Sequence, residues 1–177
     1  MNFFDSMKET MEWVAKQPNT LFIGQAVGTF GTFMSGTLKD IPIEQRLEFP
    51  VCESFQMQFS FGMALTGKTV ISVFPRQNFL LLATHDMVNL LDKAPELKYN
   101  LPALHIILRS ASGPYQPIDP GHQHKGNYSE IHKKLFKYIQ VHDINTPDEA
   151  LPTYQKAMEQ DGIHLILEDG NAYHKYA

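Results

Sequence analysis

Six short apolar runs recur along the chain, and each of them predicts a β-strand. They alternate little with polar residues, which is typical of strands that are buried on both faces of a sheet. The runs span residues 21–23, 47–51, 70–74, 104–108, 138–141 and 163–167. Stretches with helical character separate them, and this order favours a parallel sheet. We therefore predict an α/β fold, a three-layer sandwich whose mainly parallel sheet of about six strands is covered by helices on both faces.

Helix candidates lie between these runs. A first helix would begin at Asp5 or Ser6, since either side chain can cap its N-terminus. The later candidates span 54–65, 79–92 and 147–160. The last one has a strong start signal, with Thr146 as N-cap and Pro147 at the first helical position. The stretch 110–128 has no such pattern, and loops of this length in a compact domain are usually functional.

The composition fits a single domain spanning residues 1–177. The chain is 43% apolar with a net charge of −4, so it can bury a substantial core and has no basic surface for nucleic acid. No stretch approaches the ~18 apolar residues of a membrane span. Acids near the start argue against a signal peptide, and a single cysteine, Cys52, suits the cytoplasm.

Glu53 is the candidate whose position is most informative. It lies where the predicted strand 47–51 passes into the helix candidate 54–65, which contains no charged residue. This is the carboxyl end of a strand, where open α/β sheets bind ligands. A second interpretation is an acid that only interacts favourably with the helix dipole. Position alone favours the second interpretation.

Two aromatic residues and two histidines are further candidates. Phe74 and Phe79 lie on either side of a strand-to-helix turn, where a ring can belong to the core or form a flat wall for a ligand. His122 and His124 lie in the long loop and can bind a metal, act as acid–base groups near neutral pH, or be solvated. Neither the zinc-binding spacings nor the glycine pattern of a phosphate-binding loop occurs in the chain.

Several short motifs follow one another in a defined order. They are Phe49-Pro50-Val51-Cys52-Glu53, Gly62-Met63-Ala64-Leu65-Thr66-Gly67, Phe79, Val88-Asn89, Asn100-Leu101-Pro102, Gly113-Pro114, His124, Thr146-Pro147 and Ile166-Leu167-Glu168. Their order and spacing resemble the pyrimidine-binding domain of thiamine diphosphate-dependent enzymes, in particular transketolases and the beta subunits of 2-oxoacid dehydrogenase first components. The resemblance covers nearly the whole chain after the first helix.

The resemblance implies a role for each candidate residue. In that family the matching glutamate hydrogen-bonds a ring nitrogen of the cofactor's aminopyrimidine and so activates the thiazolium carbon. Glu53 would be this catalytic residue. Phe79 would stack on the pyrimidine, with Phe74 as a second candidate. His124, with His122 as its alternative, would face the substrate and stabilise or protonate intermediates.

Part of the family pattern is missing from the chain. The Gly-Asp-Gly…Asn-Asn motif, which holds the diphosphate and its magnesium ion in that family, does not occur in these residues. We expect neither a diphosphate-binding domain nor a carboxy-terminal transketolase domain in this protein. The resemblance therefore implies that a separate subunit binds the diphosphate and Mg²⁺, and that this chain holds no metal. We expect a heterotetramer and an apolar surface on this chain for its partner.

The implied function is that of one subunit of a split transketolase-like enzyme, inactive alone, which would transfer ketol groups between small keto substrates. One alternative is a beta-type subunit of a 2-oxoacid decarboxylase or dehydrogenase. An alternative of another class is a non-catalytic regulatory or scaffolding relic of the fold. A zinc hydrolase that uses His122 and His124 is a further hypothesis.

Overall fold

The sheet contains six strands that run parallel throughout the described chain. The structure, a computed structural model, describes residues 1–29, 31–97, 101–113 and 119–175. The strands are β1 (Thr20–Gly24), β2 (Arg46–Glu48), β3 (Thr69–Phe74), β4 (His105–Ala111), β5 (Gln140–Ile144) and β6 (Gly162–Glu168). Their spatial order is β2-β1-β3-β4-β6-β5, and every neighbouring pair is parallel.

Helices cover both faces of the sheet. They are α1 (Phe3–Ala15), α2 (Phe33–Gly36), α3 (Glu53–Leu65), α4 (Gln77–Leu80), α5 (Thr84–Asp86), α6 (Ser129–Leu135), α7 (Pro147–Glu159) and α8 (Ala172–Lys175). Short 3-10 turns span Ile43–Gln45, Leu81–Ala83, Ala94–Glu96 and His122–His124, and a π-helical turn spans Met87–Leu91. None of the helices in the described ranges is long and apolar enough to cross a membrane.

Two buried clusters lie on opposite faces of the sheet. In β4, Ile107 packs into the cluster under α1 and α7, whereas Ile106 and Leu108 pack into the cluster under α3. This alternation is expected for a strand that is buried on both sides. The predicted three-layer α/β class is confirmed.

The element bounds differ from the predictions at identifiable places. The first helix begins earlier than predicted, because Asn2 is its N-cap and accepts a hydrogen bond from the Asp5 backbone at 2.8 Å. The strand predicted over 47–51 ends at Glu48, since Pro50 has no N–H with which to continue the pairing. Thr146 caps α7 as predicted, in a capping box with Glu149.

The predicted helix 79–92 is not one regular helix. It begins at Gln77 and passes through α4, the 3-10 turn, α5 and the π-helical turn in succession. Leu80, Ala83, Met87 and Leu91 are all buried, so these changes of helical pitch keep one apolar side towards the core. The loop predicted over 110–128 is shorter than expected, since β4 continues to Ala111. The motif residues Asn100 and Pro114 lie outside the described residues.

Asp92 explains why β5 begins later than predicted. Its carboxylate accepts hydrogen bonds from the backbone N–H groups of Lys137, Tyr138 and Ile139, at 3.1, 2.7 and 2.9 Å. These donors are therefore not available for strand pairing, and β5 begins at Gln140. Burial alone would raise the pKa of Asp92, but the three N–H donors lower it below its ordinary value.

Replacing Asp92 with alanine should destabilise the protein in a pH-dependent way. At pH 7 we expect a loss of about 2 kcal/mol of unfolding free energy, because three backbone N–H groups, of which that of Ile139 is buried, lose a charged acceptor. The lowered pKa means that the wild-type stabilisation is present above pH ~4 and is lost as the pH falls further. Urea unfolding from pH 7 to pH 3 measures this difference, with the exposed Asp161→Ala as control. A difference independent of pH would contradict the assignment.

Candidate functional site

Glu53 is the first residue of α3 and lies at the carboxyl edge of the sheet. After β2 ends, the chain turns at Pro50, and Cys52 is the N-cap of α3. The Glu53 side chain is buried, with 6% of its surface exposed. The positive end of the helix dipole favours an acid at this position.

Gln25 holds one oxygen of the Glu53 carboxyl group. Gln25 follows the last residue of β1, and its Nε2 donates to Oε1 of Glu53 at 3.2 Å. Within the described part of the chain, no group donates to Oε2. A buried carboxyl group with one oxygen available can accept a hydrogen bond from a ligand N–H or share a proton with a ring nitrogen.

A layer of buried amide and hydroxyl groups fixes α3 against β3. Nε2 of Gln56 donates to Ser72 Oγ and to the Val73 carbonyl, both at 3.0 Å, and Ser60 Oγ donates to Ser72 Oγ at 2.9 Å. A Cβ at Gly24 would lie 2.3 Å from the Val73 oxygen, so this close approach of β1 and β3 requires glycine. Sequence reasoning missed this layer, although uncharged polar residues four apart on an apolar helix indicate it.

Phe79 and His124 lie against each other at the same edge of the sheet. Phe79 belongs to α4, which follows β3, and His124 lies in the 3-10 turn that follows β4 in the chain. Their rings meet edge to face, with centroids 5.5 Å apart and an angle of 71° between planes. Both side chains are half-buried. The structure therefore brings together an aromatic and a titratable side chain that are 45 positions apart in the sequence.

The other two candidates lie in different environments. Phe74 is completely buried in the core cluster beneath α3, so its ring has no face open to a ligand. His122 begins the same turn as His124 but is exposed. Of the four candidates, Phe79 and His124 are thus the pair whose side chains are accessible and in mutual contact.

The two parts of the site share one edge. Glu53 and Gln25 lie where β1 ends, and Phe79 lies where the neighbouring β3 ends. Adjacent strands are ~4.8 Å apart, so the two parts follow neighbouring strand ends at one edge of the sheet. Among the described residues, no group of three or more His, Cys, Asp and Glu side chains is placed to hold a metal ion.

Three other histidines pack against neighbouring side chains in the interior. His132 is buried and stacks on Phe136, and burial lowers its pKa. His142 and His164 lie within strands, with ring nitrogens 3.1 Å apart. Burial lowers the pKa of His164 to about 4, so this ring is neutral at neutral pH.

A buried ion pair joins the neighbouring strands β4 and β6 near the carboxyl edge. Arg109 of β4 donates through Nε to Glu168 Oε1 at 2.6 Å and through Nη2 to Oε2 at 3.2 Å. Thr37 and Tyr173 complete the cluster, which has no exposed surface at either charged side chain. Burial alone would lower the pKa of Arg109, but Glu168 raises it well above its ordinary value. The sequence analysis did not identify this pair.

Comparison with known proteins identifies the fold. No family model and no curated protein matches the chain. A split-gene transketolase, described as an inactive beta4 tetramer, matches with a TM-score of 0.67 and 15% identity over 94% of this chain and 50% of that one. A protein described as a thiamin diphosphate-dependent enzyme from Mycobacterium smegmatis matches with a TM-score of 0.65 and 15% identity, over 96% of this chain and 32% of that one.

These similarities confirm the transketolase-like fold that the sequence motifs implied. At 15% identity they establish the fold alone. The chain spans half or less of the length of these two structural relatives.

Replacing Glu168 with glutamine should destabilise the protein strongly. The substitution keeps the shape of the side chain but leaves the Arg109 guanidinium buried without a counter-charge, which costs about 3–5 kcal/mol. Glu130→Gln, which affects an exposed pair with Lys133, should cost less than about 1 kcal/mol. Urea unfolding at pH 7 compares the two variants, and similar losses in both would argue against a special role of the buried pair.

Proposed function

We propose that this chain is the pyrimidine-binding subunit of a split, transketolase-like enzyme that depends on thiamine diphosphate. The enzyme would cleave or form a carbon–carbon bond next to a carbonyl group by ketol transfer. The observation that carries the proposal is Glu53, a buried acid at the carboxyl edge with one oxygen available to a ligand. The fold shared with a split-gene transketolase supports it.

The residues at this edge fit the pyrimidine half of the cofactor. Glu53 offers an oxygen to a ring nitrogen, Gln25 orients that carboxyl group, and Phe79 offers a partly exposed ring for stacking. For the diphosphate and its Mg²⁺, the described residues offer no cluster of acidic or histidine ligands. By analogy with the split-gene transketolase that shares this fold, we assign these two groups to a separate subunit, and we expect this chain to be inactive without it.

The chemistry of the chain's own residues follows from their positions. The cofactor, when bound, supplies the carbon nucleophile that attacks a carbonyl group. Glu53, which is 6% exposed, would hold the pyrimidine ring by sharing a proton with one of its nitrogens. His124 lies at the open side of the edge, where it can give a proton to a substrate oxygen or take one from it.

Two other functions remain alternatives for the same fold. The site as described also suits a 2-oxoacid decarboxylase or dehydrogenase beta-type subunit, because cofactor activation by Glu53 is common to both reactions. A non-catalytic regulatory or scaffolding subunit would not need a buried acid with an available oxygen. The single cysteine makes a cytoplasmic location our expectation.

Replacing Glu53 with glutamine tests the proposed role directly. In the complex with the diphosphate-binding subunit, deuterium exchange at the cofactor's thiazolium carbon should slow by at least ~100-fold, because the amide cannot share a proton. Proton NMR follows the exchange, and the exposed Glu44→Gln serves as control. Wild-type exchange in Glu53→Gln would exclude the catalytic role, and a complex that binds no cofactor would favour the scaffolding alternative.

An uncharged surface formed by α3, by the residue Val51 before it and by the 3-10 turn Leu81–Ala83 is the proposed docking surface for the partner. We define it by the exposed side chains Val51, Phe55, Leu65, Leu81 and Leu82. No charged residue occurs between Glu53 and Lys68, and at Gly62 the space for a side chain is empty. A second chain can therefore approach the helix closely.

The position of this docking surface links assembly to the site. Phe55 is 49% exposed and packs on Phe49 and Phe59, so the exposed ring is supported from below. Glu53 lies two residues before Phe55, at the start of the same helix, and its side chain points to a different side of α3. The docking surface and the site therefore meet only at the N-terminal end of α3, and we expect a partner that covers this end to approach the carboxyl edge as well.

Replacing Phe55 with aspartate should prevent assembly without unfolding the chain. A charge at the centre of an apolar interface costs several kcal/mol, enough for a hundredfold or greater loss of affinity. Light scattering after size-exclusion chromatography with the co-expressed diphosphate-binding subunit measures the assembly. Lys68→Asp, at an exposed position three residues after the end of α3, is the control. Unchanged assembly of Phe55→Asp would place the interface elsewhere.

A further inference from the structure

Side chains of the turn after β3 hold the segment that carries His124. Nη1 of Arg76 donates to the His124 carbonyl at 3.1 Å. Oδ1 of Asn78 accepts from the Gly126 N–H at 3.1 Å, and Oε1 of Gln77 accepts from the Tyr128 N–H at 2.6 Å. The three contacts thus reach backbone groups at every second residue of 124–128, and they fix the path of the chain there.

Additional contacts restrict the same segment from two sides. Nδ2 of Asn78 donates to the Tyr128 hydroxyl at 3.1 Å, so one amide binds both the backbone and a side chain of the segment. On the side of β4, a Cβ at Gly113 would lie 2.0 Å from the His124 carbonyl oxygen. The backbone of the strand end therefore lies directly against His124.

Burial makes these hydrogen bonds energetically costly to lose. Gln77 is 1% exposed, so water cannot replace its bond to the Tyr128 N–H if the side chain is removed. Arg76 is half-buried, and its desolvation lowers the pKa of its guanidinium. These side chains therefore lose hydration to hold the segment, which an ordinary solvated loop does not require.

The side chains that bind the segment 124–128 are neighbours in sequence of Phe79, the aromatic residue of the site. Gln77 and Asn78 precede Phe79 directly, and the Phe79 ring meets the His124 ring edge to face. The same short turn therefore sets the position of both members of the pair. A displacement of 124–128 would separate the two rings.

We propose that Gln77 and Asn78, assisted by Arg76, are positioning residues that hold the His124 ring at the substrate side of the site. The inference rests on the proposed function and adds to it. It also assigns the acid–base role to His124 and not to His122, because the contacts fall on residues 124, 126 and 128. His122 is exposed at the far end of the turn.

The test measures cofactor activation, the proposed role of Glu53, separately from proton transfer to the substrate, the proposed role of His124. The variants Gln77→Leu and Asn78→Leu are measured in the complex with the diphosphate-binding subunit, thiamine diphosphate and Mg²⁺. Hydroxypyruvate is the probe substrate, since it is both a ketol and a 2-oxoacid. We expect exchange at the thiazolium carbon to stay within about twofold of wild type and kcat to fall at least tenfold, as in His124→Ala.

Conservative variants and a double variant distinguish positioning from general damage. Gln77→Glu and Asn78→Asp keep the oxygen that accepts the backbone N–H, so they should recover most of the lost kcat. The double variant Asn78→Leu/His124→Ala should have the same kcat as His124→Ala alone. Each substitution removes the same contribution, which is the acid–base action of the His124 ring. Additive losses, or equal losses in the conservative variants, would overturn the proposal.

A second measurement does not depend on turnover. The Hε1 NMR signal of His124 should carry a ring-current shift from Phe79, and this shift should disappear in Phe79→Leu, Gln77→Leu and Asn78→Leu. An unchanged signal in the last two variants would overturn the positioning role. The proposed function fails separately, if Glu53→Gln leaves exchange at the cofactor carbon unchanged.

Discussion

The parallel direction of all strands is the constraint on which the rest of this structure depends. Since parallel neighbours cannot be joined by tight turns, each connection must cross the sheet, and the carboxyl ends of all strands meet at one edge. Gln25, Glu53, Phe79 and the segment of His124 all follow strand ends, and so they gather at that edge. The parallel topology therefore brings these residues together, whatever contacts their side chains make.

Buried polar contacts then fix the positions of the elements that form this edge. The layer of Gln56 and Ser72 fixes α3, and with it the start of the helix at Glu53. On the opposite face, the pair of Arg109 and Glu168 joins β4 to β6. Buried polar groups are costly when they lose a partner and stabilising when all bonds are made. Such contacts allow one arrangement of the elements, where an apolar core alone would allow several.

In the proposed function, this arrangement provides half of a binding site. An acid with an available oxygen and an accessible aromatic ring suit a flat nitrogen heterocycle, and an uncharged docking surface begins beside the acid. The similarity to split-gene transketolase concerns the fold at 15% identity. The proposed activity depends on how these side chains are placed, because one fold supports many functions.

Local patterns in the sequence predicted the α/β class, the positions of all six strands to within three residues at each end, and Glu53 as the residue to examine. Apolar periodicity and capping are local signals, so they can be found without a structure. The burial of Phe74, the accessible ring of Phe79 and its contact with His124 became visible only in the folded chain, because burial depends on residues far away in the sequence. The same holds for three other features, which are the interruption of the helix predicted over 79–92, the start of β5 at Gln140, and the hydrogen bonds made by Gln77 and Asn78. They are set by long-range hydrogen bonds and packing, which no local pattern records.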